Sequence, residues 1–122
     1  MTPGHQITIE PTDQQVDVRI EGETVATSTR TLRLDETGMP PRFYFPRDDV
    51  RTDILRRTAF ETTCPFKGQA SYWRLGSGEG PEKLAWSYEA PYPEVARIAG
   101  FVAFYQDQVR LQVGTAPYNR PT

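Results

Sequence analysis

Over most of this chain the apolar residues recur at every second position, and that period constrains the fold more than any other feature. Successive side chains of a β-strand point to opposite faces, so period two marks strands with one face buried. "QITIE" puts Ile7 and Ile9 on one face, and "VDVRI" sets Val16, Val18 and Ile20 against an outward Asp17 and Arg19. "EGE" then turns the chain into "TVATST", which makes 16–28 a hairpin. "TLRL" repeats the alternation with Leu32 and Leu34. "RFYF" carries Phe43 and Phe45 on one face and Arg42 and Tyr44 on the other, and Pro46 ends that strand. "FVAFYQDQVRLQV" has the pattern of a second hairpin, with Val109, Leu111 and Val113 facing the core and Gln108, Arg110 and Gln112 facing water.

Helix is the minority. After Pro46, "RDDVRTDILR" spaces Val50, Ile54 and Leu55 for a short helical turn, of α or 3₁₀ type. "PEVARIAG" predicts a clearer helix: Pro93 opens it, Glu94 suits its positive end, Val95, Ile98 and Ala99 form a stripe, and Gly100 closes it. The expected fold is mainly β: a single small domain of antiparallel strands and hairpins forming a rolled sheet or barrel-like sandwich, with one or two short helices. Residues 1–122 form that one domain, with a core over about 6–113, a flexible loop at "GSGEGP", and a loose tail at 114–122.

Composition narrows the function classes. A chain of 122 residues buries roughly two thirds of its unfolded surface, enough to fold without staples. Six Phe, six Tyr and two Trp spread along it exclude a disordered reading. The net charge is −2 and no basic cluster stands out, so no nucleic-acid partner is expected. No apolar run has the length of a signal-peptide core or a membrane span, so the expected setting is the cytoplasm, with no membrane partner. One cysteine and one histidine make neither an internal disulfide nor a four-ligand zinc site, and no metal or particular cofactor is predicted.

The stretch "TTCPFKGQASYW" holds that single cysteine, Cys64, and one of only two lysines among 14 basic residues. "CPFKG" fits a hairpin loop: Pro65 presets the first central position of a type I turn, and Gly68 takes the left-handed conformation that leads into the next strand. In the outgoing strand Ser71 and Trp73 share one face, Ala70 and Tyr72 the other. Cys64 is a candidate reactive thiol that Lys67 would activate, yet the base is missing, because nothing in the sequence ties His5 to this loop. A small inert side chain is the competing reading. Lys67 runs against the arginine habit of the chain, which points to an amine being wanted at that place; a solvated turn lysine is the alternative. "GSGEG" lacks the lysine and the helix of a phosphate loop.

A polar and aromatic set lies around this turn. Arg42 and Tyr44 share a strand face, Arg47 and Asp49 follow Pro46, and Tyr72, Trp86 and Tyr88 come from other strands. Arginines beside aromatics hold a flat anionic ligand through forked hydrogen bonds to phosphate or carboxylate and through stacking. The competing reading makes the aromatics core fillers and pairs the arginines with Asp48, Asp49 and Asp53 on the surface.

The ordered succession "RFYFPRDDV", "TTCPFKGQASYW", "AWSYEAP" and "IAGFVAFY" resembles the bacterial family called domain of unknown function 427, also labelled a nucleotidyltransferase-type domain. The resemblance runs from about Val16 to Val113. Its pattern matches Arg42, Tyr44, Pro46, Asp49 and Val50, then Cys64, Pro65, Phe66, Lys67, Gly68 and Tyr72, then Trp86 and Tyr88. It implies a small, mainly antiparallel β protein. The nucleotidyltransferase label implies carboxylates clustered around divalent metal, for which only Asp48, Asp49 and Asp53 are available. Three functions are weighed. The first is a domain binding an anionic or nucleotide-like small molecule through Arg42, Tyr44, Arg47, Asp49, Lys67, Tyr72, Trp86 and Tyr88. The second is a homodimeric or protein-interaction module acting through exposed strand edges. The third is an enzyme of nucleotidyltransferase type, or one using Cys64 or Lys67 as nucleophile or Asp49 as base.

Overall fold

The computed structural model describes residues 4–114. Its strands are β1 (Ile7–Pro11), β2 (Val16–Ile20), β3 (Glu23–Ser28), β4 (Leu32–Glu36), β5 (Arg42–Tyr44), β6 (Leu55–Cys64), β7 (Gly68–Leu75), β8 (Ala85–Ser87), β9 (Val102–Phe104) and β10 (Arg110–Val113). They pair in the orders β1-β4-β5, β10-β2-β3 and β6-β7-β8-β9, antiparallel throughout. Just past β5, Phe45 and Val102 exchange backbone hydrogen bonds of 2.8 and 2.9 Å. The first and third groups therefore continue into one long surface, β1-β4-β5-β9-β8-β7-β6. β1 and β6 lie at its opposite ends, so the architecture is a mainly β sandwich and not a closed barrel.

Period two assigns each residue of this surface to one of two apolar layers. Phe43, Phe45, Trp73, Ala85, Val102 and Phe104 pack on one side with Val16, Val18 and Val25 of the β10-β2-β3 layer. Leu34, Tyr44, Ala70, Tyr72, Trp86 and Ala103 face the other side, capped by Val95 and Ile98. The predicted hairpin at 16–28 is present. Glu21 (φ 51°) and Gly22 (φ 84°) both take the positive φ that a two-residue primed turn demands. The residues after Pro46 form two 3₁₀ turns, Arg47–Asp49 and Thr52–Ile54, as expected. Among the described residues no helix is long and apolar enough to cross a membrane.

Three expectations are corrected. The stretch 101–113 is not a hairpin, because β9 pairs with β8 while β10 pairs with β2 in the other layer. Val102, Ala103 and Phe104 are all buried, as in an inner strand. β8 on one side and Phe45 on the other use both edges of β9 and leave no edge for β10. The helix expected from "PEVARIAG" is a pair of 3₁₀ turns over Pro93–Ile98, broken at Val95 (φ −124°, ψ 28°). Val95 and Ile98 are both anchored in the second apolar layer, and residues three apart line up in a 3₁₀ turn as they do not in an α-helix. Gly100, at φ 76°, ends it as predicted. Val113 is half exposed instead of facing the core, and most of the expected tail, 115–122, lies outside the described residues.

Candidate functional site

The "CPFKG" loop closes as its residue types dictate. The Lys67 amide donates to the Cys64 carbonyl at 3.3 Å with Pro65 between them, and Gly68 has φ 115°. A Cβ on Gly68 would lie 3.4 Å from the Pro91 backbone, and the Tyr92 amide bonds the Lys67 carbonyl at 3.0 Å. Wedged against 90–92, the loop holds the Lys67 side chain inward.

Lys67 is therefore not a solvated turn residue: it is 8% exposed, and its Nζ donates to Glu36 Oε1 at 2.6 Å. The other Glu36 oxygen lies 2.9 Å from His5 Nε2, and the His5 ring stacks on Phe66 at 3.8 Å. Nothing in the sequence ties His5 to the loop; the fold connects it twice. Burial alone would push the Glu36 carboxyl up, but the hydrogen bonds from Lys67 and then His5 outweigh it and hold that carboxyl below the ordinary glutamate range.

Beside this pair the second layer opens into a concavity of about 180 Å³ lined by Arg42, Tyr44, Lys67, Tyr72, Trp86 and Tyr88. Six of the eight sequence-predicted ligand residues thus share one surface. The strand period accounts for it: Arg42 and Tyr44 on β5, Tyr72 on β7, Trp86 on β8 and Tyr88 just after it sit at alternate positions on the same sheet face. Glu36 and Tyr105 line it too, and were not singled out from sequence. Both continue an alternation, Leu32–Leu34–Glu36 and Ala103–Tyr105, and that was the available signal.

The aromatic walls are fixed by polar contacts. Trp86 Nε1 donates to the Tyr44 hydroxyl at 3.0 Å with the rings edge-on at 87°. The Tyr72 hydroxyl bonds Thr62 Oγ1 at 2.7 Å and also meets the Tyr105 hydroxyl. Arg42 lays its guanidinium 5.3 Å over the Trp86 ring and 6.0 Å over Tyr105.

Burial pushes the Tyr44 and Tyr88 phenols well above the ordinary tyrosine range, and burial with the Tyr72 hydrogen bond raises Tyr105 to about 12. The native state therefore holds protons that the unfolded chain releases from about pH 10, so this part of the stability is intact below that pH and declines above it. In a phenolate absorbance titration, Tyr44 and Tyr88 are expected to ionise only as the protein unfolds, and Tyr105 only near pH 12.

The structure places the remaining predicted residues elsewhere. Arg47 lies on the other side of the sheet: its Nη2 bonds Glu89 at 2.6 Å, its Nε bonds the Gly100 carbonyl at 3.1 Å, and its guanidinium covers Trp73 at 5.1 Å. Asp49 accepts from Ser28 at 2.6 Å and from Arg30 at 3.2 Å. Both act as ties between segments, because Pro46 starts a turn that carries them off the β5 face. Cys64 is half-buried at the end of β6 and packs against the second layer.

A family model described as a domain of unknown function (DUF427) matches residues 8–115. The chain belongs to that family. No curated protein matches it. In this DUF427 domain the acidic residues after Pro46 diverge, since Asp53 pairs with Arg51 while Asp49 turns to Ser28 and Arg30. Among the described residues no three His, Cys, Asp or Glu side chains gather as metal ligands.

Proposed function

We propose that this DUF427 domain binds a small anionic molecule in the concavity, with Arg42 meeting the charged group and Tyr44, Tyr72, Trp86 and Tyr88 forming the walls. The observation that carries this reading is the state of Arg42. Other arginines, such as Arg33, Arg47 and Arg51, hold carboxylates. The Arg42 guanidinium is held by two aromatic rings and makes no hydrogen bond or ion pair among the described residues. A half-buried fork of donors without an acid beside it is a receptor for an anion brought from outside. Lys67 supplies positive charge at the same wall, tempered by Glu36. Calorimetric titration with a panel of small phosphates, carboxylates and nucleoside monophosphates tests this. One class is expected to bind, and Arg42→Ala to weaken it by about tenfold to a hundredfold, as for loss of a charged hydrogen-bond pair. Affinity unchanged in Arg42→Ala, or no binding by any probe, would overturn it.

A second reading, assembly through a strand edge, has its own observation. β6 is an end strand of ten residues, mostly exposed, and presents Phe60 at 44% exposure. Its register shift between Arg57 and Glu61 bends that edge and works against strand addition. A dimer in light scattering that Phe60→Asp returns to monomer would move the assignment to this reading.

A further inference from the structure

Resting on the reading of this concavity as an anion site, we infer that its ligand is a small monocarboxylate with an apolar body, and not a phosphate or a nucleotide. Four observations converge on that class.

The charge count comes first. The charged side chains lining the concavity are Glu36, Arg42 and Lys67. Lys67 and Glu36 form a pair at 2.6 Å, so one positive charge is left for the ligand, that of Arg42. A monoanion is neutralised by it; a phosphate monoester, at close to two negative charges near neutral pH, is not.

Geometry comes second. Leu34 lies directly opposite Arg42 across the β4–β5 pair, and Glu36 is the next residue along β4 on that face. This diagonal neighbour sits about 7–8 Å from Arg42 in backbone terms, so an anion held by Arg42 has the Glu36 carboxylate nearby, which repels a dianion more strongly than a monoanion. The Arg42 guanidinium, 5.3 Å from the Trp86 ring centre, makes no hydrogen bond among the described residues, and its fork of donors matches the two oxygens of a carboxylate.

Size is third. A concavity of about 180 Å³ is smaller than the roughly 300–1,000 Å³ that encloses a drug-sized ligand. It takes in a carboxylate with one ring or a short chain, whereas base, sugar and phosphate together would extend out of it.

The fourth is the lining beyond the charges. Leu34, Met39, Pro40 and the faces of Tyr44 and Trp86 are apolar, which suits a hydrocarbon body. The Tyr88 hydroxyl has no hydrogen-bond partner among the described residues and stays protonated, a neutral donor for a further oxygen on the ligand.

The test uses the full chain and five probes in calorimetric titration: benzoate and butyrate, then phenyl phosphate and adenosine monophosphate, with benzamide as the uncharged shape of benzoate. The expected result is that at least one carboxylate binds, benzamide does not, and both phosphates bind about tenfold or more weaker than that carboxylate. Arg42→Lys, which keeps the charge and loses the fork, is expected to weaken the carboxylate by about tenfold while the melting temperature stays within a few degrees. A phosphate that binds as tightly as the carboxylates, or Arg42→Lys that leaves carboxylate affinity unchanged, overturns the inference. If a phosphate is the ligand and Arg42→Ala still removes it, the anion site stands and only its chemical class is wrong. If no probe binds, both fall.

Discussion

Glu36→Ala is expected to destabilise the domain by about 2–4 kcal/mol in chemical denaturation, near the lower part of the range for breaking a buried ion pair because both partners keep some solvent contact. The removed carboxylate is the partner of Lys67 at 2.6 Å and of His5 at 2.9 Å, so the substitution strands a buried ammonium and leaves His5 tied to the 64–68 loop only by its stack on Phe66. Lys67→Met in the same background is expected to recover part of the loss, since the uncompensated charge is then gone. Additive effects in that double-mutant cycle would show that the pair is not coupled. The same carboxyl sets an acid limb. Its folded pKa is depressed, so its stabilisation is complete above the unfolded value of about 4.3 and is lost as pH falls through the folded value. Glu89, depressed against burial by Ser87 and Arg47, contributes in the same window. Stability measured against pH is therefore expected to fall less steeply below about pH 4.3 in Glu36→Ala than in the natural sequence.

Phe45→Ala is expected to cost about 3–5 kcal/mol, the range for a phenylalanine removed from a closed core. Phe45 has no exposure, meets Phe104 edge-on at 5.9 Å, and lies where β5 passes its hydrogen bonds to Val102. Its loss opens a void in the layer shared by both sheets, at the junction that makes the long sheet continuous. Phe60→Ala, on the exposed run of β6, is the matched control and is expected to stay within about 1 kcal/mol. Equal effects at the two positions would refute the assignment of Phe45 to the core and of the junction to the heart of the fold.

Much of the fold was legible because alternation is a local property. "RFYF" separates Arg42 and Tyr44 from Phe43 and Phe45 in the sequence, and the same division separates pocket from core in space. The turn at "CPFKG" was legible because Pro65 and Gly68 restrict the backbone by themselves. What escaped depends on partners distant in sequence. Glu36 and Lys67 are 31 residues apart, and neither residue type announces the other. The same holds for His5, joined to the loop through Glu36 and Phe66. Arg47 and Asp49 looked like pocket residues because they stand close to Tyr44 along the chain, but a 3₁₀ turn rotates them away. The stretch 101–113 has the alternation of a hairpin, yet the burial of all three β9 residues decides its partners, and that burial exists only once the other strands are in place.

The pocket wall and the core are opposite faces of the same strands, with a consequence for how such a domain can change. Trp86 faces the cavity while its neighbours Ala85 and Ser87 face the other side, where Ser87 holds the Trp73 indole at 3.1 Å. Tyr72 and Trp73 divide in the same way between cavity and core. Alternation separates the two faces, so a substitution on the cavity face alters the cavity and the second apolar layer and leaves the first apolar layer behind it in place. Under the anion-binding function proposed above, the walls stand in place before the ligand arrives, so little ordering entropy is spent on binding and the choice of ligand would change one side chain at a time.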